Sequence, residues 1–177
     1  VLYFNNSWEW SGGYGQYLEW AGNGKALLPS VDGYENYVDH VSRFVKDEKA
    51  KELYYNHVKN SVTRTNTVTG KPYTEDPTIF SWQIGNEPRA FARDSVTKAA
   101  FAEWMCASAT LIKSLDPNHM VSSGSEGLYG CEVDMDLFEK IHAHKDFDYL
   151  NVHIWPLVWR WVTKDTFADS VCVANRM

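Results

Sequence analysis

The sequence predicts an α/β fold built from parallel βαβ units, and three observations carry that expectation. Short apolar runs that read as buried strands alternate with longer stretches of helical period. The intervals between the runs leave room for a crossover helix, which parallel strands require. The composition, 44% apolar and 23% charged over 177 residues, is that of a chain able to pack a core. That length suits one domain over residues 1–177, and it falls short of the ~200–250 residues that close an eight-stranded α/β barrel.

Four segments read as strands. Val1 to Asn5 and Thr78 to Gly85 are apolar runs that end in polar residues, and His119 to Ser123 is a third. In Tyr149 to Trp155, Leu150, Val152 and Ile154 alternate with polar Asn151 and His153. Between them, Tyr34, Val38, Val41, Val45, Leu53, Tyr54 and Val58 keep one helical face apolar, predicting a helix over about 35–59. Residues 95–115 repeat the signal with Ala100, Trp104, Ala107, Leu111 and Leu115, and Asp116-Pro117-Asn118 stops it. Asp134 caps a shorter helix through Leu137, Phe138 and Ile141, and Thr163 or Asp165 starts a last one. Asn6 to Gly33 and Asn60 to Pro77 read as long polar segments beside the strands, the kind that carry function.

Seventeen Lys and Arg against 23 Asp and Glu give a net charge of −6, which disfavours nucleic acid or an acidic membrane surface as partner. Every apolar run is far shorter than the ~20 residues of a spanning helix. The chain opens Val1-Leu2-Tyr3-Phe4, so any signal peptide lies outside these residues. Cys106, Cys131 and Cys172 are far apart without a CxxC spacing. They read as free thiols, with one disulfide pair as the alternative in an oxidising compartment.

Parallel sheets gather ligand sites at the carboxyl ends of their strands, and three clusters stand there. In Trp82-Gln83-Ile84-Gly85-Asn86-Glu87-Pro88-Arg89 an apolar strand ends abruptly in an amide, a carboxylate, a proline and a guanidinium. A carboxyl group among tryptophans suits a general acid, because desolvation favours its protonated form. Asn86 beside Glu87 is placed to donate to a sugar hydroxyl. The alternative is a surface ion pair of Glu87 with Arg89. Asn5-Asn6-Ser7-Trp8-Glu9-Trp10-Ser11-Gly12-Gly13 offers indole faces flanked by amides and carboxylates, which suit sugar rings; core packing of Trp8 and Trp10 is the alternative. Its Asn5-Asn6-Ser7 sequon is discounted at the end of a buried strand. His153-Ile154-Trp155-Pro156-Leu157-Val158-Trp159 places His153 and Trp155 on one strand face by the two-residue period. A structural histidine is the alternative, but the third recurrence of strand end plus aromatics points to a binding cleft. Ser125-Glu126-Gly127 adds a carboxylate after the third strand.

His142-x-His144 lacks the partners of a metal site, Ser122, Ser123 and Ser125 lack a G-x-S-x-G elbow, and Gly12-Gly13-x-Gly15 lacks the spacing for phosphate. No metal and no cofactor are expected.

Taken in order, Arg64-x-Asn66, Thr69-Gly70-x-x-Tyr73, Asp76-Pro77-Thr78-Ile79 and Trp82-x-x-x-Asn86-Glu87-Pro88-Arg89 resemble the fourth-strand region of family 5 glycoside hydrolases, specifically the endo-β-1,4-mannanases. The Trp-Glu-Trp-Ser-Gly-Gly segment, the Glu126-Gly127-x-Tyr129-Gly130 turn and His153-x-Trp155-Pro156-x-x-Trp159 are similar to that group after strands three, five and six. The resemblance covers residues 1 to about 162. It implies the central portion of a secreted catalytic domain, a partial (β/α)8 TIM barrel of strands three to six, acting on β-mannan by a retaining double displacement. Glu87 would be the acid/base, Asn86 would hold the 2-hydroxyl, and His153 would orient the centre. Arg89, Glu126, Trp8, Trp10, Trp155 and Trp159 would line the subsites. Strands one and two, and the nucleophilic Glu of strand seven, would lie outside these residues, so the isolated 177 residues are expected to hydrolyse mannan negligibly. Many members of the family carry Tyr where Trp155 stands, exchanging a phenol for an indole N–H that donates only. A family 5 endo-β-1,4-glucanase, a non-catalytic carbohydrate-binding protein and a self-associating half-barrel remain the alternatives, and the oligomeric state is left open.

Overall fold

Three of the four apolar runs pair into one parallel sheet. In the computed structural model, which describes residues 1–166, β1 (Leu2–Tyr3), β2 (Ser81–Gln83) and β3 (Met120–Ser122) stand in that order. Leu2 is in register with Trp82, and Trp82 with Val121. The sheet is open among the described residues, as a partial barrel requires.

The fourth run is a correction: Tyr149 to Trp155 forms no strand among the described residues. One peptide hydrogen bond is made at its start, Asp148 N–H to Val121 O at 2.9 Å, and otherwise two side chains fill the places a neighbouring peptide would take. Asp148 Oδ2 accepts from Val121 N–H at 2.7 Å, and Asn151 Oδ1 accepts from Gly124 N–H at 3.0 Å.

The first crossover holds α1 (Gly13–Ala21), α2 (Pro29–Asp32), α3 (Tyr34–Val41) and α4 (Glu48–Val62). Two expectations change here. Much of the polar segment from Asn6 to Gly33 is helical, with Tyr14, Tyr17 and Leu18 of α1 buried at helical spacing and left-handed Gly22 ending it. The single helix over 35–59 is two, separated by a 3₁₀ turn at Phe44–Lys46 and by Asp47, whose extended backbone and side chain cap α4 by accepting from Ala50 N–H at 2.7 Å.

The second crossover is α5 (Ser95–Leu115), with the predicted bounds and a rotated face. Phe101, Trp104, Met105, Ser108 and Ile112 are buried, whereas Ala107 of the predicted stripe is exposed. After β3 come a 3₁₀ turn at Gly127–Cys131 and α6 (Met135–His142), capped by Asp134 as expected. Thr163 to Thr166 form a turn, and the rest of the predicted last helix, with Cys172, lies outside the described residues. Cys106 and Cys131 are free thiols, and burial pushes the Cys131 thiol up to about 12.

Aromatic rings fill the layer between sheet and helices. Phe4 stacks on Trp82 at 5.3 Å, and Tyr14 on Phe44 at 4.4 Å, with Trp104 edge-on to Phe44 at 5.3 Å. Each such ring contributes about 1.5–3 kcal/mol by leaving water. Polar tips inside the layer are used as well: Trp82 Nε1 donates to Asp116 Oδ2 at 2.7 Å, and Tyr54 Oη donates to the Ile84 carbonyl at 3.1 Å. Burial raises the Tyr54 phenol well above its usual range, so it stays a protonated donor.

Burial also lowers the pKa of His40 and of His142, whose Nδ1 faces the Phe138 carbonyl at 2.8 Å. A histidine held neutral by the fold binds fewer protons than in the unfolded chain. Stability is therefore complete above about pH 6.5 and declines as pH falls from there towards the folded-state pKa. Thermal denaturation at about pH 7.5 and about pH 5 is expected to give the lower midpoint in acid, and the His142→Asn variant a flatter profile. Equal midpoints would contradict this.

Candidate active site

The site is built where β2 runs out. Ladder bonds continue past the regular strand on both sides: Ile84 N–H donates to Ser122 O at 3.2 Å and Asn86 N–H to Asn5 O at 2.7 Å. Glu87 N–H then donates to Gly124 O at 3.0 Å. From Ile84 to Glu87 the chain advances three residues while its partner advances from Ser122 to Gly124, which is the count of a β-bulge. The bulge is tight. Gly124 has φ +79°, and a Cβ there would lie 1.8 Å from the Gly85 carbonyl oxygen.

This geometry aims Glu87, which has φ 52°, a left-handed value that costs a non-glycine residue about 1–2 kcal/mol. Ser7 Oγ donates to the Glu87 carbonyl, and Tyr37 Oη donates to Ser7 O at 2.7 Å, so the strained residue is held from the β1 side also. Its side chain is mostly buried, and both of its protein partners meet the same oxygen. His153 Nδ1 lies 2.8 Å from Glu87 Oε1, and Trp155 Nε1 donates to Oε1 at 3.1 Å. The shared partner agrees with the one-face placement read from their spacing. Among the described residues Glu87 Oε2 has no hydrogen-bond partner.

Glu87 and Arg89 are not partners. Arg89 instead grips Glu126 with both ends, Nε to Oε2 at 2.5 Å and Nη2 to Oε1 at 2.9 Å. Burial alone lowers the Arg89 pKa, but the hydrogen bonds and charge of Glu126 outweigh it and the net shift is upward. The guanidinium carbon also sits 5.4 Å from the centre of the Trp8 ring. Glu126, read as a cleft-lining residue, turns inward with a side chain 4% exposed, and both oxygens are occupied.

The aromatic residues divide in the same way. Trp8 is half-buried, stacked on Tyr37 at 6.0 Å and edge-on to Phe91 at 5.3 Å. Trp159 stacks on Tyr129 at 4.4 Å. Trp10 and Trp155 are open, 61% and 51% exposed. Asn86 is half-buried at the bulge, and Asn5 of the discounted sequon is buried. Sequence reading missed Ser7 and Asn151. Ser7 stood inside a quoted motif, but only the fold brings it to the Glu87 carbonyl, 80 positions away.

The arrangement is a carboxyl group with one oxygen fixed by two nitrogens and the other open, on a rim with exposed indoles. It is able to give and take a proton at a defined point beside a sugar-sized surface.

Known proteins are similar to this chain in sequence and in backbone. The profile described as GH family 5 beta-mannosidase-like matches residues 1–176. Mannan endo-1,4-beta-mannosidase 1 of Arabidopsis thaliana is 33% identical over 188 residues, covering 96% of this chain and 42% of that protein. A glycoside hydrolase family 5 mannosidase from Rhizomucor miehei, solved in complex with mannosyl-fructose, is 35% identical with a TM-score of 0.77, over 99% of this chain and 40% of that one. The endo-beta-1,4-mannanase of Thermotoga petrophila is 29% identical with a TM-score of 0.70, over 89% and 34%. The chain thus spans well under half the length of each of these relatives.

Two stability measurements check the geometry. Gly124→Ala is expected to cost about 3 kcal/mol or more in denaturant unfolding, since it adds both a clash and an unfavourable φ; a cost under about 1 kcal/mol would refute the close approach. Glu126→Ala leaves a buried guanidinium unpaired and is expected to cost about 3–5 kcal/mol, with the double replacement Arg89→Met and Glu126→Leu costing much less. If the double variant is no more stable than the single, the pair is not what holds this corner.

Proposed function

Because the chain belongs to glycoside hydrolase family 5, in its beta-mannosidase-like group, we propose that it carries the acid/base half of an enzyme that cleaves β-1,4-mannosidic bonds within mannan chains. The observation that carries this reading is the asymmetric Glu87 carboxyl. An indole nitrogen only donates, and His153 donates to a carboxylate through an Nδ1–H tautomer, so Oε1 receives two N–H bonds. The proton then belongs to Oε2.

In the first step Glu87 Oε2 gives its proton to the glycosidic oxygen as the bond to the leaving sugar breaks, while a second carboxylate attacks the anomeric carbon. In the next, ionised Glu87 takes a proton from the water that hydrolyses the glycosyl-enzyme, and the configuration is retained. Such a pair stands ~5–5.5 Å apart. We assign the nucleophile to a glutamate outside these 177 residues. Asn86 is placed to meet the 2-hydroxyl, and the exposed faces of Trp10 and Trp155 offer stacking surface for the sugar rings. The relatives named for mannan, and the mannosyl-fructose bound by the Rhizomucor enzyme, support mannan over glucan as substrate.

The test is Glu87→Gln in the full-length gene product. Hydrolysis of mannan is expected to fall about 10²–10⁴-fold. With a dinitrophenyl β-mannoside, whose leaving group departs without a proton, kcat/KM should change little. Undiminished mannan hydrolysis or equal losses on both substrates would overturn the assignment of Glu87, and a wild-type preference for β-glucan would overturn that of the substrate.

A further inference from the structure

Resting on the reading of Glu87 as acid/base, we propose that Asn151 is a positioning residue for that carboxyl, acting through two hydrogen bonds that lock the His153–Trp155 segment to the end of β3. Asn151 Oδ1 accepts from Gly124 N–H at 3.0 Å, and Nδ2 donates to the Ser125 carbonyl at 3.2 Å. One amide side chain thereby satisfies both a donor and an acceptor of a single turn, as an adjacent strand would.

Besides the hold from Ser7 on the β1 side, Glu87 is oriented by a backbone path and a side-chain path, and Asn151 joins these two. The backbone path runs through Gly124, whose carbonyl accepts from Glu87 N–H at 3.0 Å. The side-chain path runs through His153 and Trp155, two and four residues beyond Asn151, both on Glu87 Oε1. The peptide hydrogen bond between the two segments, Asp148 N–H to Val121 O at 2.9 Å, lies at the start of the run, and because 149–155 continues no ladder among the described residues, peptide pairing nearer the site does not set the height of His153 against Glu87. Asn151 sets it, with Asp148 on Val121 N–H and Tyr149 Oη at 2.7 Å from Ser81 Oγ fixing the start of the segment further from the site. The turn it grips is braced from beneath. His142 Nδ1 faces the Phe138 carbonyl and so carries hydrogen, leaving Nε2 to accept from Ser123 Oγ at 2.9 Å, while Ser123 Oγ accepts from Ser125 N–H at 3.2 Å. Of the two sides of the contact, the β3 turn is therefore the fixed one, and the segment bearing His153 and Trp155 is the one that Asn151 registers.

A displacement of about 1 Å in a catalytic group costs up to about 10²-fold in rate. In the full-length gene product, Asn151→Leu, which keeps the branched shape and loses both bonds, is expected to lower kcat/KM on mannan 10- to 100-fold, by order of magnitude, with KM nearly unchanged. Proton donation is what suffers, so kcat/KM on the dinitrophenyl mannoside should fall less than about threefold. Added to Glu87→Gln, the substitution should cost almost nothing more. Asn151→Ala also loses both bonds, without added bulk or charge, so it should show the same dependence on the leaving group. This variant also decides the matter if the leucine variant fails to fold. Equal losses on both substrates, or full additivity with Glu87→Gln, would overturn the proposal and leave Asn151 a stabilising residue only. If Glu87→Gln itself shows no dependence on the leaving group, the acid/base reading fails first; if it does and neither Asn151 variant follows, this inference alone fails.

Discussion

The approach of Gly124 to Gly85 is the constraint on which the rest of the site depends. With no Cβ at position 124, the ends of two parallel strands come closer than any other residue would permit, and β2 gains one residue against its neighbour. That residue throws Glu87 into a left-handed conformation at the lip of the sheet. The strain is local and is offset by bonds from both flanking strands, through Gly124 and Ser7. A regular strand would have continued the alternation of side chains across the two faces; the bulge instead presents a single carboxyl group to the rim.

Glu87 and Glu126 differ in what their oxygens are free to do. Glu126 is saturated by a bidentate guanidinium and has no oxygen left for a substrate. Its work is to hold Arg89, and through Arg89 the half-buried Trp8. Glu87 has two donors on one oxygen and no protein partner on the other among the described residues. The indole at position 155 supplies one of those donors, so this tryptophan holds the carboxyl group as well as presenting an exposed ring.

Much of this was legible in the sequence because strand ends announce themselves. An apolar run broken by Asn86, Glu87 and Pro88 has few structural explanations, and the two-residue spacing of His153 and Trp155 was enough to put both on one face. What escaped was whatever depends on contacts between distant segments. The bulge is a relation among Gly85, Glu87 and Gly124, and no local period encodes it. The pairing of Arg89 with Glu126, rather than with its neighbour Glu87, likewise follows from where β3 ends. In α5, apolar and small residues lie nearly all round the helix, so periodicity gave its length and not the face that is buried. In α1, Gly13 and Gly15 masked a helical spacing that Tyr14, Tyr17 and Leu18 already carried. The run from Tyr149 reads as a strand because it alternates as one; beyond a single peptide hydrogen bond from Asp148, the side chains of Asp148 and Asn151 take the hydrogen bonds that would have made it so.

On the proposed reading, Glu87 acts through Oε2 while His153 and Trp155 hold Oε1. The most direct measurement is a crystal structure of the full-length protein with a mannooligosaccharide spanning the cleavage point, using a variant of the nucleophile to prevent turnover. The glycosidic oxygen is expected within about 2.6–3.2 Å of Glu87 Oε2, with both nitrogens still on Oε1. A sugar whose glycosidic oxygen meets Oε1 after displacing His153, or one bound with Glu87 out of reach, would contradict it.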